Sequence, residues 1–115
     1  MDTTKLQQRV AEVVKQHGEA PWTGRVIVNE TCIATLICSP PRNNSRHHYH
    51  PENDEFWIVM GGELLWEIGD DEPIHAKERD IMQVPKGVAH NIRTIGDGPS
   101  LRLAIGIEDV PYVDS

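Results

Sequence analysis

Short apolar runs separated by turn residues dominate the chain and predict a β-rich domain. Candidate strands occupy residues 24–28, 32–39, 56–60, 63–68, 72–77, 81–84, 88–94 and 101–107. Turn-forming residues lie between them at 29–31, 61–62, 69–71 and 96–99. Many short strands with regularly spaced turns are typical of a β-sandwich or barrel.

The first segment follows a different period. Its apolar residues recur at helical spacing, as Leu6, Val10, Val13 and Val14. With Thr3 as a cap and Gly18 as a stop, this spacing predicts an amphipathic helix over about residues 3–17. The helix is interpreted as a lid on the sheet, and the alternative is an arm that binds a partner.

The centre of the chain contains the clearest turn signal, Gly61-Gly62. Two glycines between apolar runs favour a tight hairpin, so residues 56–60 and 63–68 are predicted to pair within a β-meander. Trp57 and Trp66 would then lie on facing strands, as core residues or as the wall of a pocket. The alternation in residues 101–107 does not decide which of its two faces points inward.

Length and charge narrow the class of protein. At 115 residues, the chain is predicted to be a single domain over residues 1–115. Its net charge of -7, from 18 acidic and 11 basic residues, argues against nucleic acid or an anionic membrane as partner. No apolar run approaches a membrane span and the N-terminal residues lack a signal peptide's apolar centre, so a cytoplasmic location is expected.

The two cysteines, Cys32 and Cys38, lie in one strand-like run. Six extended residues separate them by about 20 Å, which is far beyond disulfide reach. They are therefore interpreted as buried thiols. A redox or metal-binding role remains the alternative, although no CxxC spacing supports it.

Four residues have the chemistry and spacing of a metal site: His48, His50, Glu55 and His90. His48 and His50 share one face of an extended strand, and Glu55 opens the next apolar run, so it can return beside them. His90, Ile92 and Thr94 share one face of a later strand. Each histidine alone is more typical of a loop or a core position, but their combination predicts a bound divalent metal.

These residues resemble the two motifs of the cupin superfamily. The first is His48-x-His50-x4-Glu55-x6-Gly62 and the second is Pro85-x-Gly87-x2-His90. The resemblance implies an all-β fold, a double-stranded β-helix or RmlC-like jelly-roll barrel over about residues 22–110, with a short N-terminal α-helix. It also implies that the four matching residues bind one divalent metal inside the barrel, with coordination positions left open.

Three positions depart from the family pattern. Arg42 and Arg79 stand where the family usually has glycine, and Thr94 stands where the second motif usually ends in asparagine. None of the three is a metal ligand. The departures therefore concern the loops more than metal binding.

Three classes of function fit this resemblance. The preferred class is a metal-dependent enzyme, dioxygenase-like or an isomerase or lyase, that acts on a small organic molecule in the barrel. The alternatives are a non-catalytic protein that binds or senses a small ligand, and a structural metal-binding protein. The expected metal is Fe, Mn, Ni, Co or Zn, and the sequence does not determine which, because nitrogen and oxygen ligands accept all of them.

Residues 46–57 are similar to ring-opening dioxygenases of the 3-hydroxyanthranilate type. Those enzymes have Asp at the position of His48, and their substrate-holding Arg and Glu align with Thr94 and Ile105. Their substrate therefore does not carry over. A homodimer is expected, because an open jelly roll leaves strand edges and an apolar outer face that a second copy can cover.

Overall fold

Two five-stranded antiparallel sheets form the protein. A computed structural model describes residues 5–44, 48–49, 54–106 and 113–114, with residues 48, 49, 113 and 114 described by their backbone only. The elements are α1 (Val10–His17), β1 (Trp22–Val28), β2 (Ile33–Ser39), β3 (His48–Tyr49), β4 (Glu55–Gly61), β5 (Glu63–Ile68), β6 (Ile74–Lys77), β7 (Ile81–Val84), β8 (His90–Ile95), β9 (Ser100–Gly106) and β10 (Val113–Asp114).

The sheets face each other across one core. Sheet I has the strand order β1-β2-β9-β4-β7, and sheet II has the order β10-β3-β8-β5-β6. Their facing sides contribute a single cluster of buried side chains: Trp57, Val59, Leu64, Trp66, Ile68, Ala76, Met82, Val84 and Ile92. This confirms the predicted all-β jelly roll with one short helix.

Helix α1 begins at Val10 rather than near Thr3. Residues 5–9 are not helical, and Arg9 caps the helix with an extended backbone and no side-chain hydrogen bond. Thr3 lies outside the described residues. The helical spacing places Leu6 on the apolar face. Leu6 is instead fully exposed, because it lies four residues before the first helical residue, Val10. No helix in the described part of the chain is long and apolar enough to cross a membrane.

The loop between β1 and β2 forms the turn that the sequence predicts. Asn29 Oδ1 accepts hydrogen bonds from the backbone N–H groups of Thr31 at 2.8 Å and Cys32 at 2.9 Å. An asparagine side chain that bonds its own backbone in this way stabilises a turn. Strands β1 and β2 then pair directly, as do β5 and β6 around the turn at residues 69–71.

The predicted hairpin at Gly61-Gly62 is wrong. Strand β4 pairs with β7 and β9 in sheet I, whereas β5 pairs with β6 and β8 in sheet II. The turn therefore carries the chain from one sheet to the other. Residues 96–99 make another such crossing, from β8 to β9. Periodicity marks a segment as a strand, but it does not identify the strand's partner.

Trp57 and Trp66 consequently meet across the core instead of within one sheet. Their ring centroids are 5.6 Å apart with an interplanar angle of 57°. Both are almost fully buried, so the interpretation of these residues as core is confirmed. Tilted aromatic pairs at this distance add to the stability that burial provides.

The side of β9 that carries Arg102 faces the barrel interior. Arg102 lies opposite Val59 in β4 and Ile37 in β2, and Ala104 lies opposite Trp57. Since cross-strand partners share a face, Arg102 faces the barrel interior with Val59, and it is only 7% exposed. Leu103 lies on the other side of sheet I.

Cys32 and Cys38 are both free thiols, as the spacing predicts. Cys38 is buried in β2, and Cys32 is half-buried just before that strand. Burial raises the pKa of the Cys38 thiol. A thiol held in its neutral form is a poor nucleophile, which agrees with a structural role.

The two arginines at family glycine positions both adopt the left-handed conformation. Arg42 has a φ of 68° and Arg79 a φ of 78°. In the turn after β6, the N–H of Arg79 donates to the Val59 carbonyl at 2.9 Å. The backbone thus keeps the geometry that glycine adopts freely, and each arginine side chain adds steric strain.

Replacing Arg79 with glycine is expected to raise the free energy of unfolding by about 1 kcal/mol, and the Tm by about 3–6 °C, because glycine removes this strain. Arg79→Ala is the control, since it removes the exposed side chain but keeps a Cβ at positive φ. Thermal unfolding of both variants tests the argument. Equal Tm values for Gly and Ala would contradict a backbone origin.

Candidate functional site

His90 lies at the start of β8 with only 1% of its surface exposed. Ile92 and Thr94 are buried on the same side of the strand, which confirms the predicted face. The His90 Nδ1 atom is 3.3 Å from the Val88 carbonyl oxygen. A carbonyl only accepts, so Nδ1 carries the proton and Nε2 keeps its lone pair, as a metal-binding imidazole requires.

Glu55 returns to the same end of the barrel, as the sequence predicts. It is the first residue of β4, and its Oε2 atom is 3.5 Å from His90 Nε2. Burial lowers the pKa of His90, an effect that the Val88 hydrogen bond partly offsets. The neutral imidazole therefore turns a lone pair toward a carboxylate oxygen, an arrangement that a cation bound by these two residues would stabilise.

The separation of these two atoms fits a shared metal ion. Ligand atoms about 2.1 Å from one ion, at angles between octahedral and tetrahedral, lie roughly 3.0–3.4 Å apart. The observed 3.5 Å between Glu55 Oε2 and His90 Nε2 is close to this range. An imidazole nitrogen and a carboxylate oxygen also suit first-row divalent ions.

The first-motif histidines are described less fully. The backbone of His48 lies in β3, directly opposite His90 in the neighbouring strand. His50 lies outside the described residues. Among the side chains that are described, no group of three or more His, Cys, Asp or Glu residues comes together. The structure therefore joins Glu55 with His90, and the full set of four ligands stays a prediction.

Asp54 holds the two motifs together, a role that the sequence did not reveal. Its Oδ1 atom accepts the backbone N–H of Lys86 at 2.9 Å. Lys86 lies in the Pro85–Gly87 turn before His90, and Asp54 immediately precedes Glu55. Because 32 residues separate the two partners, no local pattern indicates the contact. It fixes the strand start that carries Glu55 against the turn that precedes His90.

The aromatic wall beside His90 comes from Trp57. The two ring centroids are 5.6 Å apart at an angle of 66°. Trp57 lies two residues after Glu55 on the same side of β4, and it also contacts Trp66. It therefore separates the Glu55–His90 pair from the rest of the core and keeps water away from one side of it.

A second polar cluster lies further along the barrel, near the ends of β2, β8 and β9. Thr94 Oγ1 and Ser100 Oγ are 2.8 Å apart, and an Arg102 Nη atom donates to Ser39 Oγ at 3.4 Å. Burial lowers the pKa of Arg102 to about 10, so the guanidinium is still charged at neutral pH. The burial of Arg102 is not predictable from the sequence, because an arginine alternating with leucines resembles a surface position.

An outer groove of about 430 Å³ lies between the N-terminal segment and sheet I. Its lining includes Leu6, Val10, Val13, Leu36 and Leu103, and it contains no histidine or carboxylate. It lacks the Glu55–His90 pair, and Lys5 is the one ionisable side chain among its described lining residues, so it is not the candidate metal site.

Comparison with known proteins assigns the fold to a family. The profile of the cupin domain family (Cupin_2) matches residues 35–106. Over 67 residues the chain is 34% identical to the uncharacterized protein YdbB of Bacillus subtilis, a match that spans 58% of this chain and 57% of that protein.

Solved structures agree on the architecture. An uncharacterized protein with a double-stranded β-helix domain from Klebsiella pneumoniae superposes with a TM-score of 0.79 at 20% identity, covering 96% of this chain and 97% of that one. Oxalate decarboxylase from Bacillus subtilis superposes at 0.66 with 22% identity, over 74% of this chain and 24% of that chain. The family match spans both Glu55 and His90, and the chain belongs to the cupin domain family.

Proposed function

We propose that the protein is a metal-dependent enzyme that acts on a small organic molecule inside the barrel. It binds one divalent ion, Fe, Mn, Ni, Co or Zn, through His48, His50, Glu55 and His90. The observation that carries this proposal is the 3.5 Å contact between Glu55 Oε2 and His90 Nε2 in the barrel interior. Both atoms bear lone pairs, and the imidazole is kept neutral by burial.

The chemistry follows from this ligand set. Three imidazoles and one carboxylate leave open positions on an octahedral ion, which would act as a Lewis acid or bind dioxygen. The Val88 carbonyl fixes the orientation of the His90 ring. Asp54 holds Glu55 and the second-motif turn in place, and Trp57 excludes water from one side.

The structural likeness supports the metal without identifying the substrate. Oxalate decarboxylase of Bacillus subtilis has Mn(II) centres, so a barrel of this shape can hold a divalent ion. This chain spans about a quarter of that enzyme's length. The likeness in fold therefore supports a metal centre and leaves the reaction of this protein to experiment.

Metal reconstitution tests the proposal directly. Protein purified without a histidine tag and stripped with chelator is expected to take up about one equivalent of metal per chain from Fe(II), Mn(II), Ni(II), Co(II) or Zn(II), because the neutral imidazole and the carboxylate already face each other. Elemental analysis measures the stoichiometry. Less than about a tenth of an equivalent with every ion would refute the metal site.

Turnover is tested on the loaded protein. Each metal form is screened for dioxygen uptake and product formation with small phenols, diketones, thiols and carboxylates. Metal-dependent turnover of any of these compounds supports an enzyme. A full equivalent of metal without turnover favours the non-catalytic binding or structural alternatives.

A further inference from the structure

Arg102 is a buried cation with no anionic partner among the described residues. Only 7% of its surface is exposed, and its register with Val59 and Ile37 directs it to the barrel interior. One Nη atom donates to Ser39 Oγ, and Nε has no acceptor. Among the residues that the structure describes, no carboxylate forms an ion pair with it. The ion pair of the other arginine in this region, Arg93 with Glu67, lies on the surface.

The leucines that flank Arg102 do not explain its burial. Leu101 and Leu103 lie on the opposite face of β9, beside the buried Cys38 and Leu36 of β2. Their packing accounts for their own side of the strand, but it leaves a guanidinium on the interior side without a counter-ion among the described residues. Burial of an unpaired charge destabilises a folded protein, so packing alone does not account for an arginine at this position.

The opposite sheet supplies a second buried donor without an acceptor. Trp66 in β5 is fully buried, and its Nε1–H has no hydrogen-bond partner among the described residues. Buried indole N–H groups ordinarily donate a hydrogen bond. Arg102 in sheet I and Trp66 in sheet II thus both leave N–H groups unsatisfied inside the barrel. Arg102 is the charged one of the two, and a negatively charged acceptor would satisfy it.

We propose that Arg102, together with Ser39, binds the carboxylate group of a small organic anion inside the barrel. The guanidinium presents parallel N–H groups that match a carboxylate in bidentate geometry, and the Ser39 hydroxyl adds a further hydrogen-bonding group beside it. This inference rests on the proposed function, since it takes the interior as the substrate chamber, and it names the substrate class. Binding stabilises the folded state and offsets the cost of the buried charge.

The proposal is tested by carboxylate binding to metal-stripped protein. Acetate, oxalate and benzoate are expected to raise the Tm, whereas acetamide and benzamide, which have similar shape and no charge, are expected to leave it unchanged. Titration calorimetry gives the affinities. Inorganic phosphate is included as a second anion, and tighter binding of phosphate than of every carboxylate would overturn the assigned class.

Arg102→Met separates binding from structure. The carboxylate affinity is expected to fall about tenfold or more, since a charged, bidentate contact is lost. The Tm of the ligand-free variant is expected to rise, since an unpaired charge is replaced by an apolar side chain of similar length. Arg93→Met is the matched control, because it removes the same charge from an exposed position of β8, the preceding strand in the chain. It is expected to leave the affinity unchanged.

The outcomes distinguish this inference from the metal proposal. Carboxylate binding that depends on Arg102, in a protein that takes up less than about a tenth of an equivalent of any metal on reconstitution, supports the anion site and refutes the metal site. Full metal retention with unchanged carboxylate affinity in Arg102→Met does the reverse. If Arg102→Met does not fold, Arg102→Lys replaces it, since lysine keeps the charge but cannot make a bidentate contact. The carboxylate affinity of Arg102→Lys is expected to be several times weaker than that of the unsubstituted protein. An unchanged affinity would overturn the proposal.

Discussion

Alanine in place of His90 is expected to abolish metal retention. His90 is the only candidate ligand from the second motif, and the His90 Nε2 atom faces Glu55 Oε2. Glu55→Ala is expected to have the same effect, because it removes the only ligand charge that compensates a divalent ion. His48→Ala should weaken binding less, since His50, Glu55 and His90 still form a face of two histidines and one carboxylate and water can fill the vacancy.

Metal content and thermal unfolding are measured together on alanine variants of all four predicted ligands. His75→Ala is the matched control, because His75 is a half-exposed histidine that pairs with Glu63 on the surface. If the four residues serve only packing, their variants will lower the Tm while the metal content stays equal to that of His75→Ala. Equal metal content across the set would end the site hypothesis.

Alanine in place of Gly62 is expected to prevent normal folding or to lower the Tm by about 12–20 °C. Gly62 has a φ of +74°, and a Cβ there would lie 2.4 Å from the Pro99 carbonyl oxygen and 2.8 Å from the Ser100 Cα. Both neighbours are backbone atoms and cannot rotate away. Strain at positive φ together with this overlap corresponds to a loss of roughly 3–5 kcal/mol.

Gly96→Ala provides the comparison for Gly62→Ala. Gly96 also has a positive φ, +84°, but the nearest atom to a Cβ at this position would be a glutamate oxygen at 4.0 Å. Only the conformational cost applies, about 1 kcal/mol. Yield of folded protein and thermal unfolding are measured for both variants. A Tm loss at Gly62 no larger than at Gly96 would contradict the close approach of residue 62 to residues 99–100.

Local sequence pattern located the elements well but not their partners. The strands, the Asn29 turn and the buried face of β8 follow from periodicity and turn chemistry. The pairing of β4 does not, because the Gly61-Gly62 signal is the same for a hairpin and for a crossing between sheets. The crossing brings Gly62 close to the backbone of residues 99–100. Those residues lie far along the chain, so no local pattern indicates this contact.

The site shows the same division. Glu55 and His90 were identified from motif spacing, and the structure brings their side chains together. Arg102 was not identified, because alternation with leucines gives two equivalent faces and burial ordinarily selects the apolar one. Asp54 was not identified either, since its contact with Lys86 exists only after the barrel closes.

The strand order of sheet I determines whether the two motifs can be separated from the rest of the protein. Strand β4, which carries Glu55, lies between β7 and β9, and β9 lies between β4 and β2. Strand β2 precedes the first motif in the chain and β9 follows the second. A segment that holds only the two motifs therefore lacks the strands that close sheet I. We therefore expect that the two motifs alone cannot form the site, and that a unit able to form it includes β2 to β9.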